Sequence, residues 1–437
     1  MNTTPFWRLV TAAMVGVGTS IAPLVLLMFG LIQFNIIRLV GENHVTQTFG
    51  ICAGIASFSL VVLSPIGGYI ADRTTIGFGR RRFWMIAGSL GAFACMYLFA
   101  NSSSITELTV TWIGAQFFYG MVATACYSIV PEQIEKEKFG RVSGLMGAAP
   151  PACVMLGSMI VMGLYSGIPV QQKIMIIATA QVIGGIFAAL LVNDKPYQRP
   201  VTQHHESKKK GYIYPSIKKY PEFTWGLLTK LFINFTNAGL SMATLFYIAR
   251  FHMDEKSIFE LNALTSSGII LMVASGIFGG FLSDKVKKQK PFVMCAALIT
   301  GLCMIAFAFS QNITLVIIAN FIFNFGFGMY GAVDTALVNR ILPSAENYAK
   351  DISIMNVTTQ LASSLVNFVA PAVISLGAIL LGDDGYTFFF LILAAFSIIS
   401  ALVVIPIPEI GQPLRKDSEI NASHELDEHI TEDKSIA

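Results

Sequence analysis

Twelve runs of about 20 mainly apolar residues follow one another along the chain, each closed by a polar or charged segment. They fall near 11–34, 47–70, 84–101, 108–130, 142–166 and 173–192, then 224–247, 260–282, 291–310, 313–336, 353–380 and 386–407. At 1.5 Å of rise per residue, a helix of that length crosses the roughly 30 Å hydrocarbon layer of a bilayer. No alternation with a period of two appears, so the runs predict helices rather than the strands of a lipid-facing barrel. The first run is longer than the apolar core of a signal peptide and lacks a small-residue cleavage site before the second. It is expected to remain in the protein.

Composition agrees. Of 437 residues, 54% are hydrophobic and only 13% charged, against about 25% charged in an ordinary soluble domain. Such a chain belongs in a lipid bilayer, and soluble enzymes and nucleic-acid binders are excluded. All six cysteines lie in apolar runs without a CxxC pair or metal spacing, and read as small buried hydrophobes. The placement of positive charge sets orientation. With both termini on one side, 24 of the 29 Lys and Arg fall on that side and four (Arg38, Lys173, Arg250, Lys256) on the other, with Lys230 inside a span. The positive-inside rule then predicts cytoplasmic termini and a cell-membrane protein.

The only long polar linker, 193–223, divides the spans six and six. Residues 67–72 read Gly-Gly-Tyr-Ile-Ala-Asp and residues 279–284 read Gly-Gly-Phe-Leu-Ser-Asp, an offset of 212. Pro131 and Pro343, which close the fourth and tenth spans, keep that offset, as do Lys138 and Lys350. The sequence therefore predicts two similar halves, 1–192 and 224–408, in parallel orientation. Transporters built this way hold their substrate between halves that alternate access. The segment 409–437, with eight acidic and three basic residues and no apolar period, is expected to be a disordered acidic tail.

The loop between spans two and three reads Pro65-x-x-Gly68-x-x-x-Asp72-Arg73-Thr74, then Gly79-Arg80-Arg81-Arg82-x-Trp84. It resembles the signature loop of the major facilitator superfamily. In this form it is similar to the sucrose:proton symporter and glycoside–pentoside–hexuronide symporter branches. The stretch Gly331-Ala-Val-Asp334-x-Ala-Leu, continuing through Leu342-Pro343 to Ala349-Lys350-Asp351, strengthens the likeness to the sucrose branch. The resemblance implies a twelve-helix secondary transporter, a sugar or glycoside as solute, and coupling to protons. An acidic sodium site in the first spans is missing, as is the Gly-Pro-x-x-Gly-Gly motif of drug exporters; span five has Ala148-Ala149-Pro150-Pro151 there. An exporter of amphipathic molecules and an uncoupled facilitator are the alternatives.

The loop's chemistry can be read without that likeness. Asp72 at a helix end can accept from backbone N–H groups of a neighbouring helix, and its arginines can pair with carboxylates such as Glu132. Asp72, Arg73, Arg80, Arg81, Arg82, Glu132, Arg141 and Asp284 are the candidate gating residues, expected to latch the termini side shut.

Polar side chains inside spans are the candidates for binding. Lys230, Asn234 and Asn237 form one helical stripe, Asn320 and Asn324 another, Asn356 and Gln360 (with Asn367) a third, and Gln116 and Tyr119 lie in span four. Amides both donate to and accept from hydroxyls, which suits a sugar. Bonding between helices is the competing use of the same amides. Lys230 and Asp334 are expected to pair, giving a coupling switch. Gly326-x-Gly328-x-x-Gly331 imitates a dinucleotide fingerprint, but without a preceding strand it reads as helix packing. No GxxxxGK is present, and neither cofactor nor metal is expected; the partners are a small solute, protons and lipid, with a monomer as the expected state.

Overall fold

In the computed structural model, the described residues are 4–134, 138–194, 215, 217, 218, 220–341 and 348–409. Among them there are helices and no strands. Twelve helices are long and apolar enough to span a membrane: α1 (Phe6–Val40), α2 (Glu42–Ala71), α3 (Arg80–Ala100), α4 (Ile105–Val130), α5 (Val142–Leu164), α6 (Val170–Leu191), α7 (Pro221–Phe251), α8 (Glu255–Val286), α9 (Lys290–Phe309), α10 (Ile313–Val338), α11 (Val357–Leu381) and α12 (Tyr386–Val403). The expected runs recur in order. Several helices outrun the apolar run that predicts them, because a helix can continue where its side chains turn polar. Most of the expected linker, and nearly all of the expected tail, lie outside the described residues.

Helix starts follow local chemistry. At α4, Ser104 accepts from Glu107 N at 3.2 Å while Glu107 Oε2 accepts from Ser103 N at 2.9 Å, a reciprocal cap. Proline occupies the first turn of α7 and of α9, where no N–H donor is lost.

The halves α1–α6 and α7–α12 share more than the landmarks of their loops. In α1 the helix widens over Leu27–Leu31, with Gly30 at φ 109°, a region that favours glycine. In α7 a tight turn at Leu240–Met242 interrupts the helix at the same offset of 212. Arg38 and Arg250 also keep it. Arg38 donates to Ser102 O at 2.7 Å beyond the C-terminus of α3, and Arg250 to Ala308 O at 2.7 Å near the C-terminus of α9. Each places a cation where carbonyls are unpaired. Arg250 is further clamped by Asp384, whose carboxylate takes both guanidinium bonds at 2.7 and 2.6 Å.

One end of the molecule carries the start of α1, the end of α12 and the arginines of the 2–3 loop; we call it the basic end, and the opposite one the far end. The halves meet from the far end to mid-depth. There a Cβ on Gly50 would lie 2.6 Å from Asn367 O, so α2 and α11 touch through backbone. Ser364 Oγ donates to Gly54 O at 3.0 Å. Ser158 Oγ donates to Asn262 O at 3.3 Å, Asn262 Nδ2 to Phe29 O at 2.9 Å, and Gln33 Nε2 to Ser241 O at 3.1 Å. Ser166 Oγ donates to Glu260 Oε1 at 3.1 Å in the same region, and these bonds join the halves toward the far end.

Candidate functional site

At the basic end, Glu132 closes α4 and accepts from two guanidinium groups. Arg80 Nη2 is 2.5 Å and Arg81 Nη2 2.7 Å from Glu132 Oε1. Arg81 is only 4% exposed. Asp194 Oδ2 accepts from Arg81 N at 2.7 Å and Arg82 N at 3.3 Å, capping α3. Arg82 donates to Ala189 O at 3.0 Å and covers the Phe78 ring, while exposed Arg73 covers Tyr69. The second half repeats the cap: Glu409 Oε2 accepts from Gln289 N at 3.1 Å ahead of α9.

Both Arg–Glu132 pairs lie within the first half, because α3 and α4 pack together there, and they tie the start of α3 to the end of α4. Asp284 is exposed, with no ion pair among the described residues. The side chains of Asp72, Arg141 and Asn356 lie outside the described part of the structure.

Deeper in the bundle, Lys230 on α7 and Asp334 on α10 come together, Nζ to Oδ2 at 3.5 Å. The phenol of Tyr330, one turn before Asp334, donates to its Oδ1 at 3.1 Å. Asp334 is 5% exposed, so both oxygens of a buried carboxylate are engaged. Removing one partner of such a pair costs about 3–5 kcal/mol, since the other charge stays buried.

The amide stripes are more self-contained than their spacing suggests. Asn234 Nδ2 donates to Lys230 O at 2.7 Å, and Asn324 Nδ2 to Asn320 O and Oδ1, both at 2.9 Å. These amides bond their own helices, and the side-chain oxygens of Asn234 and Asn324 have no partner among the described residues. Asn237 and Gln360 are half-buried and have no side-chain bond among the described residues. Asn367 accepts from Ser241 Oγ at 2.8 Å and belongs to the far-end closure. Tyr119 is not beside an open space: it is fully buried next to Cys95, and its hydroxyl has no partner. Gln116 is 8% exposed and lines a cleft between α2 and α4.

The profile of the Major Facilitator Superfamily matches residues 9–367 and 260–423. The chain belongs to this superfamily. Among characterised members, the multi-drug resistance efflux pump PmrA of Streptococcus pneumoniae serotype 4 is 24% identical over 311 residues, 70% of this chain and 74% of the pump. Among solved structures, a variant of the nucleoside transporter NupG superposes with TM-score 0.69 at 12% identity, over 92% of this chain and 99% of that one. The D-xylose-proton symporter superposes with TM-score 0.68 at 14% identity, over 94% and 97%. At these identities the likeness to the two structures is one of fold. Membership of the superfamily, with twelve helices long and apolar enough to span a membrane, makes the chain an integral membrane transporter.

Sequence reasoning missed the residues that close this facilitator's far end. Gln33 is fully buried, with its Oε1 unpartnered. Lys173, counted among the few cations of a loop, is also fully buried. Its ammonium donates to Ser166 O at 2.8 Å and to Ile168 O at 2.5 Å, and lies 4.2 Å from the Phe259 ring of the other half. A lysine at the first residue of an apolar run was the available signal. What hid it was that its partners are backbone carbonyls and a ring, which carry no charge pattern.

Proposed function

We propose that this transporter moves a small neutral polar solute of the sugar class by alternating access, with protons as the coupling ion. The basic end and both termini then face the cytoplasm, and the far end faces outward across the cell membrane. The observation that carries the proposal is the Lys230–Asp334–Tyr330 group. A carboxylate buried in the membrane is expensive unless it is paired or protonated. A proton arriving at Asp334 removes its attraction for Lys230 and frees the ammonium, so one proton changes how α7 and α10 are held together. Closure of the halves around bound solute then has an ionic step to couple to. Carbonyl oxygens of Asn234 and Asn324, and the free amides of Asn237, Gln360 and Gln116, supply acceptors and donors for hydroxyl groups. The 2–3 loop and its likeness to the sucrose and glycoside symporter branches point to the same class.

The 24% identity to an efflux pump favours a second reading, export of amphipathic molecules. One experiment separates them. Purified protein in liposomes is given a panel of labelled sugars and a panel of amphipathic cations, with and without an imposed proton gradient. The proposal expects a sugar to accumulate only with the gradient; about 100 mV acting on one charge, or about 2.3 kcal/mol, supports roughly 50-fold accumulation. Movement of the cations and of no sugar overturns it in favour of export. Sugar equilibration without accumulation leaves a facilitator and removes the coupling.

A further inference from the structure

The first turns of α8 lie against the first half, and one side chain there reaches into it. Phe259 is fully buried. Its ring stands 5.4 Å from the ring of Phe34 on α1, centroid to centroid, and 4.2 Å from the Lys173 ammonium on α6. A Cβ on Gly30 would lie 3.2 Å from Phe259 Cε1, so the interruption of α1 leaves the room that the ring uses. Gly30, Phe34 and Lys173 thus form a socket in the first half for a side chain of the second. The turn around it is tied down on the same side. Glu260 Oε1 accepts from Ser166 Oγ at 3.1 Å, and Asn262 Nδ2 donates to Phe29 O at 2.9 Å.

Lys173 carries a charge with no carboxylate on it. It is fully buried, its ammonium donates to Ser166 O and Ile168 O of its own half, and it forms no ion pair among the described residues. The Phe259 ring covers it from the other half. A buried cation bound to a carboxylate is held hard, because removing one partner strands the other charge. A ring is neutral. When it withdraws, water hydrates the ammonium and no opposite charge is left bare, yet a desolvated ammonium–ring contact is a real attraction. Such a contact is strong enough to favour one arrangement and weak enough to break in every cycle. The other far-end seam is made differently: α2 and α11 meet through backbone, at Gly50 and Asn367 O. The first half has no equivalent plug, since at the offset of 212 Gln47 stands for Phe259 and Gly385 for Lys173.

We propose that Phe259 is the gate of the far end, a plug from the second half seated in the first, and that Lys173 is the positioning residue that holds it there. Withdrawal of the ring from Gly30, Phe34 and Lys173 opens the seam of α8 with α1, α5 and α6. The proposal rests on the reading of this chain as an alternating-access carrier, and it names the contact that must break for the far end to open.

The test follows a thiol at the same seam, in the full chain in liposomes. Ser158 on α5 is fully buried and donates to Asn262 O at 3.3 Å across the seam, and Ser158→Cys exchanges its oxygen for sulfur. Reaction with a water-soluble maleimide is read by peptide mass spectrometry. Cys126, fully buried within the first half, stays unlabelled while the protein is folded. Phe259→Leu and Lys173→Met are each expected to speed labelling at position 158 about tenfold, the factor lost with a desolvated ammonium–ring contact, and Phe259→Ala by more. Combining Phe259→Leu with Lys173→Met should be no faster than the faster of the two, because both remove one contact. Multiplied effects overturn the role of Lys173. If Phe259→Ala exposes Cys126, the two milder variants decide the matter. The parent Ser158→Cys protein is also labelled during transport of a sugar from the panel and at rest. Turnover that changes the parent rate, beside variants that leave it unchanged, overturns the gate and leaves alternating access standing. Variants that speed labelling, beside a parent rate that turnover never changes, uphold the gate and overturn the alternating-access reading. No change in any arm overturns both.

Discussion

The first and second halves are built on one frame and carry different chemistry at matching places. At the offset of 212, Lys230, Tyr330 and Asp334 of the second half correspond to Gly18, Phe118 and Val122 of the first, none of which ionises. Conversely, Gln116 stands opposite Gly328. The shared features are those that shape the bundle: the interruptions of α1 and α7, the arginines at 38 and 250, and the carboxylate caps of α3 and α9. What differs is the polar content of the interior. The second half holds the ion pair, and the first holds the uncharged cleft. The duplicated scaffold thus keeps its buried ion pair in one half and a cleft without ionisable side chains in the other.

The sharpest break in this comparison is Asp334→Asn. It is expected to abolish gradient-driven accumulation, a fall from as much as about 50-fold to simple equilibration, while exchange down a concentration gradient survives. Combining Lys230→Asp with Asp334→Lys should restore part of the accumulation. Full accumulation by Asp334→Asn in proteoliposomes would remove this carboxylate from coupling. Next in size is Gly328→Gln, which imposes the first half's residue on the tight α8–α10 contact, where a Cβ on Gly328 would overlap Met272 O. Overpacking of that kind costs about 1–3 kcal/mol, visible as earlier thermal unfolding in detergent, whereas Gln116→Gly should leave unfolding nearly unchanged. Equal shifts for the two variants would mean that the cleft is no looser than its counterpart. Glu132→Gln comes third. Glu132 is one-third exposed on its side chain, so its loss should cost only about 1 kcal/mol. Increased accessibility of α3 without any change at α9 would mark the bracing as local to one half, and increased cytoplasmic accessibility of both halves would support the latch. The smallest effects belong to Asn237→Ala and Gln360→Ala, each expected to weaken apparent affinity a few-fold, in line with about 0.5–1.5 kcal/mol per hydrogen bond to a neutral group. Lost yield with unchanged affinity would instead make them packing residues.

The fold was largely legible because its signals are local. Apolar run length predicts each span, and punctuation such as Gly67-Gly68 and Gly279-Gly280 reveals the duplication. The approach of Arg80 and Arg81 to Glu132 was legible too, since opposite charges at neighbouring helix ends have few other partners. The far-end closure was not. Gln33, Ser158, Asn262 and Ser364 bond to backbone carbonyls of the opposite half, and any residue can supply a carbonyl. The interruption of α1 exposes one of them, Phe29 O, yet Gly30 looks in sequence like one more glycine in an apolar run. The self-bonding of Asn234 and Asn324 was equally hidden, because a spacing of four suits a helix's own carbonyl as well as a ligand.

The paired interruptions of α1 and α7 have a mechanical consequence. Beyond them run two nine-residue segments, Ile32–Val40 and Ala243–Phe251, each about 14 Å long at 1.5 Å per residue. Both are tethered at their tips, by Arg38 to the end of α3 and by Arg250 to the end of α9. A rod jointed at one end and pinned at the other can pivot only about its pin. Each half therefore carries a short segment at the matching place, jointed to the rest of its helix at one end and pinned to a neighbouring helix at the other. Replacing Gly30 with a residue that resists positive φ is expected to stiffen the joint of α1 and slow transport, read as a lower maximal rate in proteoliposomes.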